Sequence, residues 1–196
     1  MKGWLIYKKA DCERNRFFID RWFYNAQQRG VQLKLIYFED LKFGIKNSLP
    51  FAEYEGKNID ADFTVMRLSN YFLSKHLENM GIRVFNSSEV SFLANKKENT
   101  HLALSGLVPM MDTAFVYDIE TPPPFPFPLV IKKSDSCGGR RVFLTKNIEE
   151  YRFSINNCLP DCAIVQPLCD SPGKDIRVYV LGNKILSSKM RFSTNG

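Results

Sequence analysis

At 196 residues, with 44% apolar and 24% charged side chains, the chain has the composition of a globular protein and not of a disordered one. No apolar run approaches membrane-spanning length, and Met1-Lys2-Gly3-Trp4 opens straight into a strand-like segment; both argue against a cleaved leader and for the cytoplasm. The net charge of +6 comes from 27 Lys and Arg against 21 Asp and Glu, dispersed and often neighbouring one another, which argues against a nucleic-acid binder.

Residues 3–7 (Gly-Trp-Leu-Ile-Tyr) read as a buried strand. Asp11 is placed to cap a following helix whose apolar residues Phe18, Ile19, Trp22, Phe23 and Ala26 lie on one face. Gly30 ends that helix and residues 32–38 make a second strand. Residues 43–60, with their Gly, Pro and Asn, read as loop or irregular structure. Residues 63–66 form a third strand, Ser69 or Asn70 caps a helix through Met80, Gly81 stops it, and residues 82–85 form a fourth strand. Strands separated by helices predict a parallel sheet with flanking helices, an α/β N-terminal domain over residues 1–94.

A short helix over 88–94 follows, and another begins near Lys96 and Lys97. Prolines at 122, 123, 124, 126 and 128 exclude helix and predict a stiff connection into an apolar strand at 129–133. Beyond it come a Gly-bearing loop, a strand at 142–145, a helix at 148–156 and strands at 163–165, 176–181 and 184–189. Gly182-Asn183 joins the last two as a hairpin turn. This predicts an α+β domain with antiparallel sheets over 95–196. The five cysteines, at 12, 137, 158, 162 and 169, lack the paired short spacings and histidine partners of a zinc site and read as reduced thiols.

Three sites carry anion-binding chemistry. Lys132 closes the strand Leu129-Val130-Ile131-Lys132 beside a loop containing Gly138-Gly139, where a lysine and successive backbone N–H groups can hold a phosphate. No Gly-Lys-Ser/Thr closes that loop, so it is not the Walker pattern; a plain Gly-Gly hairpin is the structural alternative. Lys96 or Lys97 stands at a helix start, where anions are favoured. Third, the edge at 165–169 (Val-Gln-Pro-Leu-Cys) offers carbonyls and N–H groups to a flat heterocycle. Pro167 accepts through its carbonyl but cannot donate, so the donor is Leu168 or Cys169. Asp175 can accept from ribose hydroxyls, and Arg177 can hold a phosphate or a carboxylate substrate.

In this order, Asn95-x-Lys97, Val130-Ile131-Lys132 with its Gly-rich loop, Val165-Gln166 and Gly173-Lys174-Asp175-Ile176-Arg177 resemble the ATP-grasp ligases, and most of all their RimK-like branch, named after ribosomal protein S6 glutamate ligase. The segment 100–113 is similar to that branch's interdomain linker. The resemblance implies that Lys97 and Lys132 hold the phosphates of ATP with Gly138 and Gly139 beneath them. It further implies that Gln166, Pro167 and Leu168 meet the adenine, that Asp175 meets the ribose or an adjacent group, and that Arg177 acts at the reacting centre. Such enzymes transfer the γ-phosphoryl group of ATP to a carboxylate, and an amine attacks the resulting acylphosphate; the carboxylate and amine partners and the oligomeric state are not encoded in these motifs.

Two departures from the branch stand out. Pro167 replaces a usually acidic residue, and Cys137 sits in the Gly-rich loop. The Asp and Glu-x-Asn that hold Mg²⁺ in that branch have no counterpart before Gly196, so no residue here is assigned to the metal. The expectation is therefore a C-terminally truncated ligase whose isolated chain binds ATP without turnover. The alternative is an inactive nucleotide-binding or regulatory remnant of the family.

Overall fold

A computed structural model describes residues 1–136, 139 and 141–193. It divides into two compact units, Met1–Ala103 and Leu104–Gly196.

The first unit is built on β1 (Lys2–Tyr7), β2 (Gln32–Tyr37), β6 (Phe63–Met66) and β7 (Arg83–Phe85), all parallel, in the order β2-β1-β6-β7. The helix α2 (Arg16–Gln27) joins β1 to β2, and α3 (Tyr71–Asn79) joins β6 to β7. These two crossovers run outward in opposite directions from the centre of the sheet. Right-handed connection then puts their helices on opposite faces. The alternation of core residues agrees: Ile19 of α2 packs with Leu5, Tyr7 and Val65, whereas Leu73 and Leu77 of α3 pack with Trp4, Ile6, Met66 and Val84.

The segment 43–60 is not irregular. It forms an antiparallel meander of β3 (Leu41–Lys46), β4 (Leu49–Tyr54) and β5 (Lys57–Asn58) that closes over the α3 side of the core through Leu41, Ala52 and Tyr54. Both its turns are two residues long with positive φ throughout: Asn47 (51°) and Ser48 (63°), then Glu55 (53°) and Gly56 (72°). These are type I′ dihedrals, the hairpin-forming kind, carried by Asn-Ser and Glu-Gly in place of Asn-Gly.

Helix α2 also departs from expectation. Asp11 lies inside a one-turn helix, α1 (Lys9–Cys12), and its carboxylate holds Arg14; Asn15 occupies the N-cap position of α2 without a side-chain bond. Of the apolar face only Ile19 is buried, while Phe18 and Trp22 are 58% and 41% exposed. On the same sheet side Phe63 packs against the Ile19 cluster and meets the exposed Phe85 edge to face at 6.3 Å. Asn70, and not Ser69, caps α3 by accepting from the Leu73 N–H at 2.9 Å. Two further helices follow, α4 (Ser88–Asn95) and α5 (Lys97–Leu104).

The second unit holds a four-stranded antiparallel sheet in the order β10-β9-β11-β8, made of β8 (Ala114–Val116), β9 (Leu129–Lys133), β10 (Val142–Thr145) and β11 (Ala163–Pro167). One face is covered by α6 (Ile148–Asn156), whose Tyr151 and Ile155 pack on Val116, Leu129, Ile131, Ala163 and Val165. Asn147 caps α6 through Glu150 N–H at 2.9 Å. The proline-rich connection is pinned to this core by Phe125 and Phe127, the latter edge-on to Tyr151 at 6.5 Å. The strands β12 (Lys174–Leu181) and β13 (Lys184–Phe192) form a separate hairpin, turning through Gly182 at a φ of 60°, and every residue of both strands is exposed. No described helix is long and apolar enough to cross a membrane.

Candidate functional site

Strand alternation settles which way Lys132 points. Leu129 and Ile131 face α6, so Val130 and Lys132 face the other side, with Val142, Leu144, Ile164 and Gln166 in the matching registers of β10 and β11. Lys132 lies directly opposite Ile164, which makes Gln166 its diagonal neighbour. The Lys132 ammonium donates to Gln166 Oε1 at 2.7 Å. Gln166 is buried, and its Nε2 donates to Thr113 Oγ1 at 2.8 Å. Thr113 falls opposite Gln166 because β8 pairs Ala114 with Val165. The threonine hydroxyl in turn donates to Met111 O at 2.9 Å. A directional line of bonds thus runs from Met111 to Lys132 and fixes the amide with its oxygen toward the cation. Gln166 enters the site through its side chain, which strand-edge reasoning alone did not single out. Thr113 carried no local signal, since its role depends on a pairing fifty residues away.

The loop after Lys132 is tied at its root by Ser134 N–H to Cys162 O at 3.0 Å and Lys133 N–H to Arg141 O at 3.1 Å. Gly139 adopts a φ of 75°, a conformation open to glycine. Gly138 and Cys137 lie outside the described residues. On the α6 side of the same strand, Lys133 pairs with Asp161 at 2.7 Å. Cys158 and Cys162 are buried there, and burial pushes the Cys158 thiol upward, away from reactivity.

At the end of β11 the two donors considered for a heterocycle differ. Leu168 N–H is engaged with Pro128 O at 3.1 Å, so it is spent on the sheet. Cys169 is exposed, and its N–H has no protein acceptor among the described residues.

On β12, Asp175 and Arg177 share one face, and their partners across the hairpin are Arg191 and Lys189. The Asp175 carboxylate is taken bidentately by Arg191, whose guanidinium it holds above its ordinary pKa. The opposite face, with Ile176, Val178, Met190 and Phe192, is apolar and exposed. No group of three His, Cys, Asp or Glu side chains able to hold a metal occurs among the described residues, and Asp175 is already paired. Lys97 opens α5 in the first unit.

A cavity of about 550 Å³ along α2 is lined by Phe18, Trp22, Leu33 and Phe63 together with Arg21 and Arg29. It presents rings and few polar atoms, which suits it poorly to a phosphate ligand.

Several known proteins are similar to this chain. The human N-acetylaspartylglutamate synthase A is 32% identical over 149 residues, covering 70% of this chain and 36% of that protein. A probable alpha-L-glutamate ligase of Shewanella pealeana is 24% identical over 217 aligned positions, covering 100% of this chain and 46% of that protein. The chain therefore spans less than half the length of these two curated relatives. A solved RimK domain ATP-grasp protein of Sphaerobacter thermophilus superposes with a TM-score of 0.70 at 18% identity, over 96% of this chain and 72% of that one, which shows the shared fold. Residues 88–196, more than half of the sequence, match the RimK-like ATP-grasp domain, and the chain belongs to that family.

Proposed function

We propose that the chain binds ATP and forms the nucleotide-holding part of an ATP-dependent carboxylate–amine ligase. The observation that carries this reading is the Lys132 ammonium, held by Gln166 on the sheet face away from α6. A cation fixed there by a buried amide is set to meet a phosphate without first losing side-chain freedom. Lys97 is assigned the same role from its place at the start of α5, and residues 95–196 are read as the ATP-grasp part. Along the adjacent edge, Pro167 supplies a carbonyl and Cys169 the N–H for the adenine, Gln166 meets the ligand through its side chain, and Leu168 supplies a wall. Asp175 meets the ribose or an adjacent group, which requires it to exchange its Arg191 partner for the ligand.

In the proposed reaction a carboxylate oxygen of one substrate attacks the γ-phosphorus and ADP leaves. The amine nitrogen of the second substrate then attacks the acyl carbon, phosphate leaves, and the nitrogen gives up a proton. No nucleophilic side chain is required; the protein's contribution is positioning and neutralisation of charge. Arg177, exposed on β12 beside Asp175, is assigned to the carboxylate or phosphoryl oxygens. Magnesium, when bound, neutralises phosphate charge; no described residue is assigned to it. Glutamate is the first amino acid to test, because it stands in the names of both curated relatives.

Calorimetric titration of the 196-residue chain with ATP, with and without Mg²⁺, tests the binding claim; saturable binding lost in Lys132→Ala supports it, and no binding overturns it. ADP release in the presence of candidate substrates tests the ligase claim. Binding without ADP release favours the nucleotide-binding or regulatory reading instead.

A further inference from the structure

The parallel sheet of the first unit contains a second place for chemistry. Its chain order reverses between β1 and β6, and in open α/β sheets ligands settle in the crevice outside the carboxyl ends of the strands at such a reversal. Arg67 stands there, the first residue after β6. Its N–H continues the ladder to Ile6 O at 2.9 Å, and its Nε donates to the hydroxyl of buried Tyr7, the last residue of β1, at 3.2 Å. The guanidinium carbon lies 5.9 Å from the centre of the Tyr7 ring. Arg14, Arg16 and Arg191 each face a carboxylate, but among the described residues no carboxylate pairs with Arg67.

Beside Arg67 opens a cavity of about 270 Å³, lined also by Ser69, Asn86, Ser91 and Asn95 and containing no acidic side chain. Its far wall is one face of α4, with Val90, Ser91, Ala94 and Asn95 at helical spacing. That wall is fastened independently of any ligand. Glu78 at the end of α3 accepts from Ser88 N–H at 2.7 Å and from Ser88 Oγ at 2.5 Å, and Asn95 Nδ2 donates to Ser91 O at 2.7 Å. The cavity is thus preformed, polar, cationic and too small for a nucleotide.

We propose that this crevice is a binding site for a small carboxylate, gripped by the two terminal nitrogens of Arg67 while Tyr7 holds its Nε. A planar fork of two N–H donors matches the two oxygens of a carboxylate. Ser69, Asn86 and Ser91 supply neutral donors for the rest of a molecule the size of an amino acid or a short dicarboxylic acid. The binding claim stands on this geometry alone. Its extension, that the bound carboxylate is a substrate of the ligase, rests on the function proposed above.

The test is calorimetric titration of the 196-residue chain with L-glutamate, succinate and inorganic phosphate in separate arms. Saturable binding of a carboxylate, weakened about tenfold or more in Arg67→Gln, is the expected result. Because Arg67→Gln also loses the Tyr7 bond, Ala94→Leu provides a second reading: it narrows the cavity from an exposed helical position and should weaken the same ligand while the melting temperature holds. Lys132→Ala should leave the carboxylate titration intact, so failure of the nucleotide claim and failure of this one are distinguishable. Absence of carboxylate binding, indifference to both first-unit substitutions, or saturation by phosphate in preference to either carboxylate would overturn the proposal.

Discussion

Asp175 and Arg191 face each other in register across β12 and β13, and the guanidinium donates to the carboxylate at 3.0, 2.9 and 2.7 Å. Both side chains are about half exposed, at 52% and 47%, so solvent screens the pair and the hairpin gains little from it. Its consequence is competitive: the carboxylate assigned to the ribose is occupied by Arg191 and has to leave it to meet the ligand.

Asp175→Asn should therefore leave the melting temperature near that of the parent while weakening ATP by about tenfold, the loss of one charge-assisted hydrogen bond. Arg191→Gln should change ATP affinity far less, since it frees the carboxylate. Calorimetry on both variants checks the pair; equal ATP affinity in Asp175→Asn and parent would remove Asp175 from the nucleotide site.

The Lys132–Gln166 bond makes a sharper prediction. Gln166→Glu keeps the shape but sets a carboxylate 2.7 Å from the ammonium and near the proposed phosphates. ATP affinity should fall by roughly tenfold to a hundredfold, through repulsion of the anion and sequestration of the lysine. Thr113→Val removes the acceptor of Gln166 Nε2 and leaves that buried donor unpaired, so it should lower stability by about 1–3 kcal/mol as well as affinity. Thr113→Ser, which keeps the hydroxyl, should restore both. Thermal melts and ATP titrations on the three variants read these effects separately.

Local pattern made much of the fold legible. The apolar runs at 129–133 and 142–145 and the helix at 148–156 coincide with β9, β10 and α6, because each has a hydrophobic face of fixed period and a clear start or stop. Lys132 could be placed at a strand end for the same reason. The Thr113–Gln166–Lys132 line could not, since it needs the register of three strands that are distant in sequence. Helix α2 misleads for a different cause. Its aromatic residues carry helical periodicity, but of that apolar face only Ile19 is buried against the sheet of the first unit, and Phe18 and Trp22 stay exposed.

The meander stayed hidden because its turns lack the usual glycine pairing. Ser48 occupies a φ of 63° where a Cβ is strained, at a cost of about 1–2 kcal/mol. Ser48→Gly relieves that strain and converts the turn to Asn-Gly, the preferred type I′ pair. The more flexible unfolded chain offsets part of the gain. The variant should be more stable by roughly 0.5–1 kcal/mol, read as an upward shift in denaturant midpoint at unchanged slope. A lower midpoint would contradict the turn assignment.

Tyr151 gives the pH dependence of the second unit. Its ring is fully buried between α6 and the sheet, and its hydroxyl has no hydrogen-bond partner among the described residues. Burial pushes this phenol above its ordinary value of 10.0, and likewise pushes the Cys158 thiol above 9.0. For both groups the folded pKa is raised, so the unfolded chain loses its protons first as pH rises. Stability is then fully present below about 9 and declines as pH climbs through the two ordinary values toward the folded ones. Tyr151→Phe deletes the unpaired hydroxyl together with the upper part of that decline. At neutral pH it should be neutral or stabilising by up to about 1 kcal/mol, because a buried polar group without a partner is removed at nearly constant shape. At alkaline pH the gap over the parent should widen. Chemical denaturation of both proteins at about pH 7, 9 and 10.5 checks this; a variant less stable than the parent at pH 7 would mean that the hydroxyl is satisfied in solution.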